Sequence, residues 1–282
     1  MSAREINVSK IQEVTSKLCI KANMILSEAL ESCIKCSVNK EKSPTGREVL
    51  NDIYRNIEVA KKENMAICQD TGMAVIFLDI GQDVHFVGGD LYTAITNGVS
   101  DGYIKGFLRC SIVEDPLERV NTGDNTPPVI HTRIVPGDKV RISVCPKGFG
   151  SENMSALKMF TPSATKEEIC DFIVGTVKTA GSNPCPPIVV GVGIGGDFEY
   201  SAFLAKKALC RDISINNPKK LYADMEEYLL NEMNKTGIGP QGFGGTVTAL
   251  KVNIEEAPTH IAGLPVAVNI GCHVTRHAEE II

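Results

Sequence analysis

Tryptophan is absent from this 282-residue chain, and aromatic residues make up only 5% of it. That leaves no platform on which nucleic-acid bases could stack. Excess positive charge is missing too: 29 Lys and Arg face 34 Asp and Glu, for a net charge of -5. No basic field for nucleic acid follows from that balance. Long hydrophobic runs are missing as well. The longest, Met73 to Leu78 and Pro187 to Val192, are far too short to span a membrane. The N-terminal Met-Ser-Ala-Arg-Glu-Ile-Asn carries no apolar segment of signal-peptide type. These features place the chain in the cytoplasm or a similar reducing compartment. There is no internal repeat and no low-complexity tract.

What the chain has in quantity is cysteine, glycine and apolar bulk. A hydrophobic content of 43% supports one large domain or two lobes. Ten cysteines in a chain of this kind read as thiols, metal ligands or catalytic groups rather than as disulfides. Their surroundings sort them. Cys33 and Cys36 form the only C-x-x-C, but they lie in a helical run without the second pair a zinc ribbon needs, and they read as ordinary helix thiols. Cys19, Cys170 and Cys210 also sit in helical patterns and read as small core residues. Cys110 and Cys145 lie near element ends and stand in reserve. Cys68 in Cys-Gln-Asp-Thr-Gly, Cys185 in Asn-Pro-Cys-Pro-Pro and Cys272 in Gly-Cys-His occupy turn-rich segments. Three loop thiols can share one ligand. Thiolate is the standard iron–sulfur ligand, and three thiolates on a cubane leave one iron open as a Lewis acid.

The fold class expected is α+β, or mixed α/β, with a helical N-terminal region and mixed sheets covered by helices around the cluster loops. Residues 1–282 read as a single catalytic domain, with 1–62 its helical part. Val8 to Cys36 has a loose helical period, broken at Ser43-Pro44-Thr45-Gly46, and a second helix runs from Arg47 to Lys62. Met73 to Ile80 is a buried strand and Asp90 to Tyr103 a helix. Val129–Val135 and Lys139–Val144, joined by Pro136-Gly137-Asp138, read as a β-hairpin. Thr165 and Glu168 make a capping box for a helix to Thr179. Ile188–Val192 is a strand, followed by a glycine loop and a helix from Glu199 to Leu209. Leu221–Asn234 is a helix, and Val247–Ile254 and Val266–Ile270 are strands.

Gly191, Gly193 and Gly196 fit G-x-G-x-x-G between a strand and a helix. Three readings stand: a nucleotide site, an anion at the helix N-terminus, or a structural turn. The polar segment Arg211 to Lys220 argues against the second strand a dinucleotide fold needs. Asp70, beside Cys68, and His260, in a Pro-Thr-His loop, suit an acid–base pair near a metal. His273 and His277, spaced i, i+4 around Arg276, suggest a short terminal helix. Arg109, Lys147 and Arg276 could hold carboxylates, although single basic residues are usually surface charges.

The strings ICQDTGMAV (67–75), NTGDNTPPVIHTRIVPGDKV (121–140), PKGFGSENMSALKM (146–159), AGSNPCPPIVVGVGIGGDFE (180–199), GIGPQGFGGTVTAL (237–250) and THIAGLPVAVNIGCHVTRHA (259–278) resemble one family. It is the class I fumarate hydratase family, in its two-subunit form the α subunit, with the L-tartrate dehydratase α subunit a close relative. The resemblance implies a [4Fe–4S] hydro-lyase whose cluster cysteines correspond to Cys68, Cys185 and Cys272. It implies that Gln69, Asp70, Arg109 and Gly150 contact a dicarboxylate and that His260 pairs with Asp70. The reaction it implies is reversible hydration of fumarate to L-malate, with L-tartrate dehydration as the alternative. Less favoured are a nucleotide-binding oxidoreductase module and a non-catalytic iron–sulfur protein. Single-chain members continue into a further domain that supplies more arginines, a lysine and the carbon base. A chain without that domain needs a separate β subunit, in an expected α2β2 assembly, and has little activity alone.

Overall fold

The computed structural model describes residues 3–282. In chain order its elements are β1 (Arg4–Asn7), α1 (Val8–Met24), α2 (Glu28–Lys40), α3 (Pro44–Glu63), β2 (Met73–Gly81), β3 (Val84–Val87), α4 (Leu91–Lys105), β4 (Val129–Val135), β5 (Val140–Lys147), α5 (Phe149–Glu152), β6 (Ala156–Phe160), α6 (Lys166–Ala180), β7 (Ile188–Gly196), α7 (Phe198–Ala208), α8 (Lys220–Asn234), β8 (Ala249–Thr259), β9 (Leu264–Gly271) and β10 (Ala278–Ile281). The fold is mixed α/β, as the sequence predicts. The chain divides into two compact units. The first holds the described residues up to Leu26 with Val59–Gly148 and Arg276–Ile282; the second holds Ser27–Glu58 and Phe149–Thr275.

The first unit is built on a four-stranded sheet of order β10-β5-β2-β4. Its central strand β2 is apolar from Ala74 to Leu78 and buried through that run. Helix α1 starts at Asn7, whose side chain accepts from Ser9 N at 2.9 Å. It buries Ile11, Val14, Leu18, Cys19 and Ala22 in the same core as Ile95, Val99 and Tyr103 of α4. The expected hairpin of 129–135 with 139–144 does not form. Both strands exist, but β4 pairs parallel to β2 and β5 antiparallel to it, so β2 separates them. The 136–138 turn instead closes over the end of β2: Gly81 N donates to Lys139 O at 2.8 Å and Asp83 N to Gly137 O at 3.0 Å. The buried backbone of β2 has its N–H and C=O groups paired along both edges, by β4 on one side and β5 on the other. The expected terminal helix around His273 and His277 is also absent. The chain there makes a turn and then β10, which pairs antiparallel to β5.

The second unit has the order β6-β9-β7-β8, with β7 and β8 parallel and β9 antiparallel to both its neighbours. Strand β7 has two different faces. Val190, Val192 and Ile194 join Ile173 and Val177 of α6 and Met225 and Leu229 of α8 in one core. Gly191 and Gly193 face α7 instead. A Cβ on Gly191 would stand 2.1 Å from Ala205 O, and one on Gly193 2.0 Å from Ser201 O. The helix backbone lies directly on the strand, and only glycine leaves room. The G-x-G spacing is thereby accounted for by packing. Helix α6 begins with the predicted capping box: Glu168 N donates to Thr165 Oγ1 at 3.2 Å and Thr165 N to Glu168 Oε2 at 2.7 Å. The polar segment after α7 is tied down by Arg211, which pairs with buried Glu226 and donates to Ile254 O at 3.1 Å.

One fully buried carboxylate joins distant segments of this unit. Glu41, between α2 and α3, accepts from Ser43 N at 2.8 Å, from Thr246 N at 2.9 Å and from Val247 N at 2.8 Å. Burial alone would raise its pKa, but those hydrogen bonds to the ionised form outweigh it, and the carboxyl is held below its ordinary 4.5. Among the described residues, no helix is long and apolar enough to cross a membrane.

Candidate active site and its loops

The Cys68–Gly72 segment leads into β2 and is pinned from several sides within the first unit. Tyr103, fully buried, offers its hydroxyl to the carbonyls of Thr71 at 2.9 Å and Gly72 at 3.0 Å. Asn125 Nδ2 donates to Gly72 O at 3.1 Å. Gly72 N donates to Asp70 Oδ1 at 3.0 Å. A Cβ on Gly72 would lie 2.7 Å from the Lys147 carbonyl carbon, so this backbone rests on the end of β5. Thr71 Oγ1 donates to Arg109 O at 3.0 Å and accepts from Arg109 N at 2.9 Å. That one hydroxyl fastens the Arg109 loop to the Cys68 loop, leaving the Arg109 side chain exposed.

Asp70 sits half-buried beside Gly148: a Cβ there would come within 3.0 Å of Asp70 Oδ2. Arg276 is buried at 5% exposure and donates to Asp70 O at 2.6 Å. Its Nε has no hydrogen-bond partner among the described residues. It is therefore not the surface charge that single basic residues usually are, and no helix turn carries it. Lys147 is buried too, with Nζ donating to Gly148 O at 3.2 Å. The first unit thus gathers Cys68, Gln69, Asp70, Arg109, Lys147 and Arg276 on connected backbone.

The second unit carries Gly150, Cys185, His260 and Cys272. Cys185 is exposed and has φ +55°, a left-handed conformation uncommon for a side chain with a Cβ. Cys272 is half-buried in the turn after β9. The two segments meet: His273 N donates to Cys185 O at 3.4 Å, and the His273 ring Nδ1 lies 3.0 Å from the same oxygen. Gly150, exposed in the short α5, has Asn183 O 3.5 Å from its would-be Cβ, which sets it near the Cys185 loop. His260 is exposed in the turn between β8 and β9. Its Nδ1 accepts from Ala262 N at 3.1 Å, so the neutral ring carries its proton on Nε2.

The remaining thiols behave differently. Burial pushes Cys19 up to about 12 and also raises Cys33, Cys110 and Cys170, keeping all four protonated. Cys145 is buried two residues from the end of β5. Cys210 lies in a turn just past α7 instead of in a helix. Among the described residues, no three His, Cys, Asp or Glu side chains converge as a single metal ion requires. In a cubane each thiolate binds a different iron of one cluster. Exposed Cys185 and half-buried Cys68 and Cys272 are loop thiols, the donor type such a cluster takes. Sequence reasoning did not foresee the burial of Arg276, nor Gln241, whose Nε2 donates to Pro186 O at 2.6 Å next to Cys185. Only the turn-rich setting of 237–245 hinted at the latter.

Residues 12–280 match the family model described as "Fumarate hydratase (Fumerase)". The chain belongs to the iron–sulfur fumarate hydratase/tartrate dehydratase α-subunit family. It is similar to a Methanocaldococcus jannaschii protein named "Putative L(+)-tartrate dehydratase subunit alpha", at 39% identity over 95% of this chain and 96% of the relative. It is also similar to the "L(+)-tartrate dehydratase subunit alpha" of Escherichia coli O157:H7, at 31% over 100% of this chain and 93% of the relative. The protein from Escherichia coli K12 with the same name is 30% identical over 100% and 93%. Membership of this α-subunit family agrees with the sequence reading, but these relatives carry the name of the alternative substrate rather than fumarate.

Proposed function

We propose that this chain is the α subunit of an L(+)-tartrate dehydratase, an iron–sulfur hydro-lyase in which residues 1–282 act as one catalytic domain. The carrying observation is the near full-length similarity to proteins of that name. Reversible hydration of fumarate is the second reading, favoured by the description of the family model. Cys68, Cys185 and Cys272 hold a [4Fe–4S] cluster. Such a cluster, held by those thiolates, would supply Lewis acidity for the departing hydroxyl.

The chain's own residues then have distinct tasks. Arg109, with its backbone fixed by Thr71 and its guanidinium exposed, grips one substrate carboxylate. Gln69 and the backbone N–H of Gly150 hold the rest of the dicarboxylate. A clamped carboxylate lets negative charge spread away from the carbon that loses its proton. Asp70 and the Nε2–H of His260 manage the proton of the leaving oxygen. The base for the carbon-bound proton, and further arginines, come from a β subunit, which the word "alpha" in the relatives' names supports. The assembly is α2β2.

The test is an anaerobic preparation of this chain with its β subunit, supplied separately with L-tartrate and L-malate. Dehydration of L-tartrate gives an enol that becomes a 2-oxo dicarboxylate, whereas L-malate gives fumarate. At least tenfold higher kcat/KM for L-tartrate is expected. A preference for L-malate selects the second reading, and turnover of neither sinks both.

A further inference from the structure

We infer that His273 and Gln241 are positioning residues that hold the Cys185 loop in its ligating form before any cluster is bound. The inference rests on the cluster assignment made under the proposed function and deepens it. The loop runs Pro184-Cys185-Pro186-Pro187. Prolines have no N–H, so the only backbone donor in those four residues is Cys185 N, and it is committed to Ser182 O at 3.0 Å. Such a loop cannot fix itself with its own donors. It has to be held through its carbonyls by donors from elsewhere.

Two residues do this. Gln241 turns two nitrogens toward one oxygen: its backbone N lies 2.7 Å and its Nε2 2.6 Å from Pro186 O. His273 does the same at the preceding carbonyl, with N at 3.4 Å and Nδ1 at 3.0 Å from Cys185 O. A carbonyl only accepts, so Nδ1 carries the ring proton. Gln241 Nε2, 3.3 Å from that ring nitrogen, packs beside it while bonding Pro186. Cys185 and Gln241 both have positive φ, +55° and +51°. Side chains persist in that region only where their surroundings determine it. Four donors on two adjacent carbonyls are such surroundings. His273 also follows Cys272 directly, so one residue ties together the backbones of two thiol loops.

The experiment compares the full-length wild type with His273→Ala, His273→Asn and Gln241→Ala. The Asn amide nitrogen can take the place of Nδ1 and donate to Cys185 O. Two readouts are used, neither of them activity: amide hydrogen exchange over 182–187 in the cluster-free chain, and the rate of iron release to a chelator after anaerobic reconstitution. In His273→Ala and Gln241→Ala, exchange and iron release should both rise at least tenfold, with far-UV circular dichroism unchanged. His273→Asn should stay within threefold of wild type. Wild-type values in both alanine variants overturn the inference and leave the cluster reading standing. Loss in His273→Ala without rescue in His273→Asn also overturns it, since the specific Nδ1 bond is then not what matters. Wild-type protein that takes up neither iron nor sulfide, alone or with its β subunit, overturns the cluster reading and this inference with it.

Discussion

Replacing Glu41 by Ala tests whether one buried carboxylate organises the second unit. The wild-type group is fully buried and satisfies the N–H groups of Ser43, Thr246 and Val247. Truncation strands all three donors, and each unmet buried donor costs about 1–3 kcal/mol. Water entering the hole recovers part of that. The expected loss is therefore about 3–5 kcal/mol, the range for removing one partner from a buried charged network. At about 2–4 °C per kcal/mol for a chain approaching this size, Tm should fall by about 10 °C. Glu41→Gln keeps the shape and one acceptor oxygen, and should lose only about 1–3 kcal/mol. Urea unfolding of the cluster-free chain, followed by far-UV circular dichroism, measures both. The pH dependence has a definite sign. A carboxyl held below its ordinary 4.5 in the folded state contributes fully above that value and loses its contribution as pH falls through its lower folded value. The gap between wild type and Glu41→Gln should be constant above 4.5 and close below it. A loss under about 1 kcal/mol for Glu41→Ala, or a gap that widens in acid, refutes the reasoning.

Two further outcomes follow from burial and packing. Gly193→Ala sets a methyl 2.0 Å from Ser201 O, against helix backbone that cannot turn aside; overpacking of this kind should cost about 1–3 kcal/mol or more in urea unfolding. Alkylation of the native, cluster-free chain at pH 8, mapped by peptide mass spectrometry, should label exposed Cys36 and Cys185. Cys19, fully buried with its thiol raised to about 12, should react only after unfolding, and early labelling of Cys19 would count against the buried α1 face.

How far the sequence could be read depended on whether a feature was local. The Thr165–Glu168 capping box and the strand from Met73 carry their signal within a few residues, and both appear as expected. That Cys68, Cys185 and Cys272 lie in loops could be read because Gly and Pro around them are visible in the sequence. Pairing is not local. The Pro136-Gly137-Asp138 turn looked like a hairpin because nothing in those residues shows that β2 separates the flanking strands. Arg276 read as a surface charge because its burial depends on β10 returning to β5, which only the assembled sheet shows. Glu41 gave no signal at all: apart from Ser43, its hydrogen-bond donors Thr246 and Val247 lie 205 and 206 residues away along the chain. The same holds for Gln241, whose bond to Pro186 spans 55 residues.

The Thr71 hydroxyl has a consequence for how such a protein can change. By both donating to and accepting from the Arg109 main chain, it makes two loops into one mechanical part. A mutation that shifts either backbone drags the other along, so the Arg109 main chain cannot move without disturbing the neighbouring thiol segment. Change in these loops is thereby channelled into exchanges of exposed side chains such as Gln69, on a backbone that stays put.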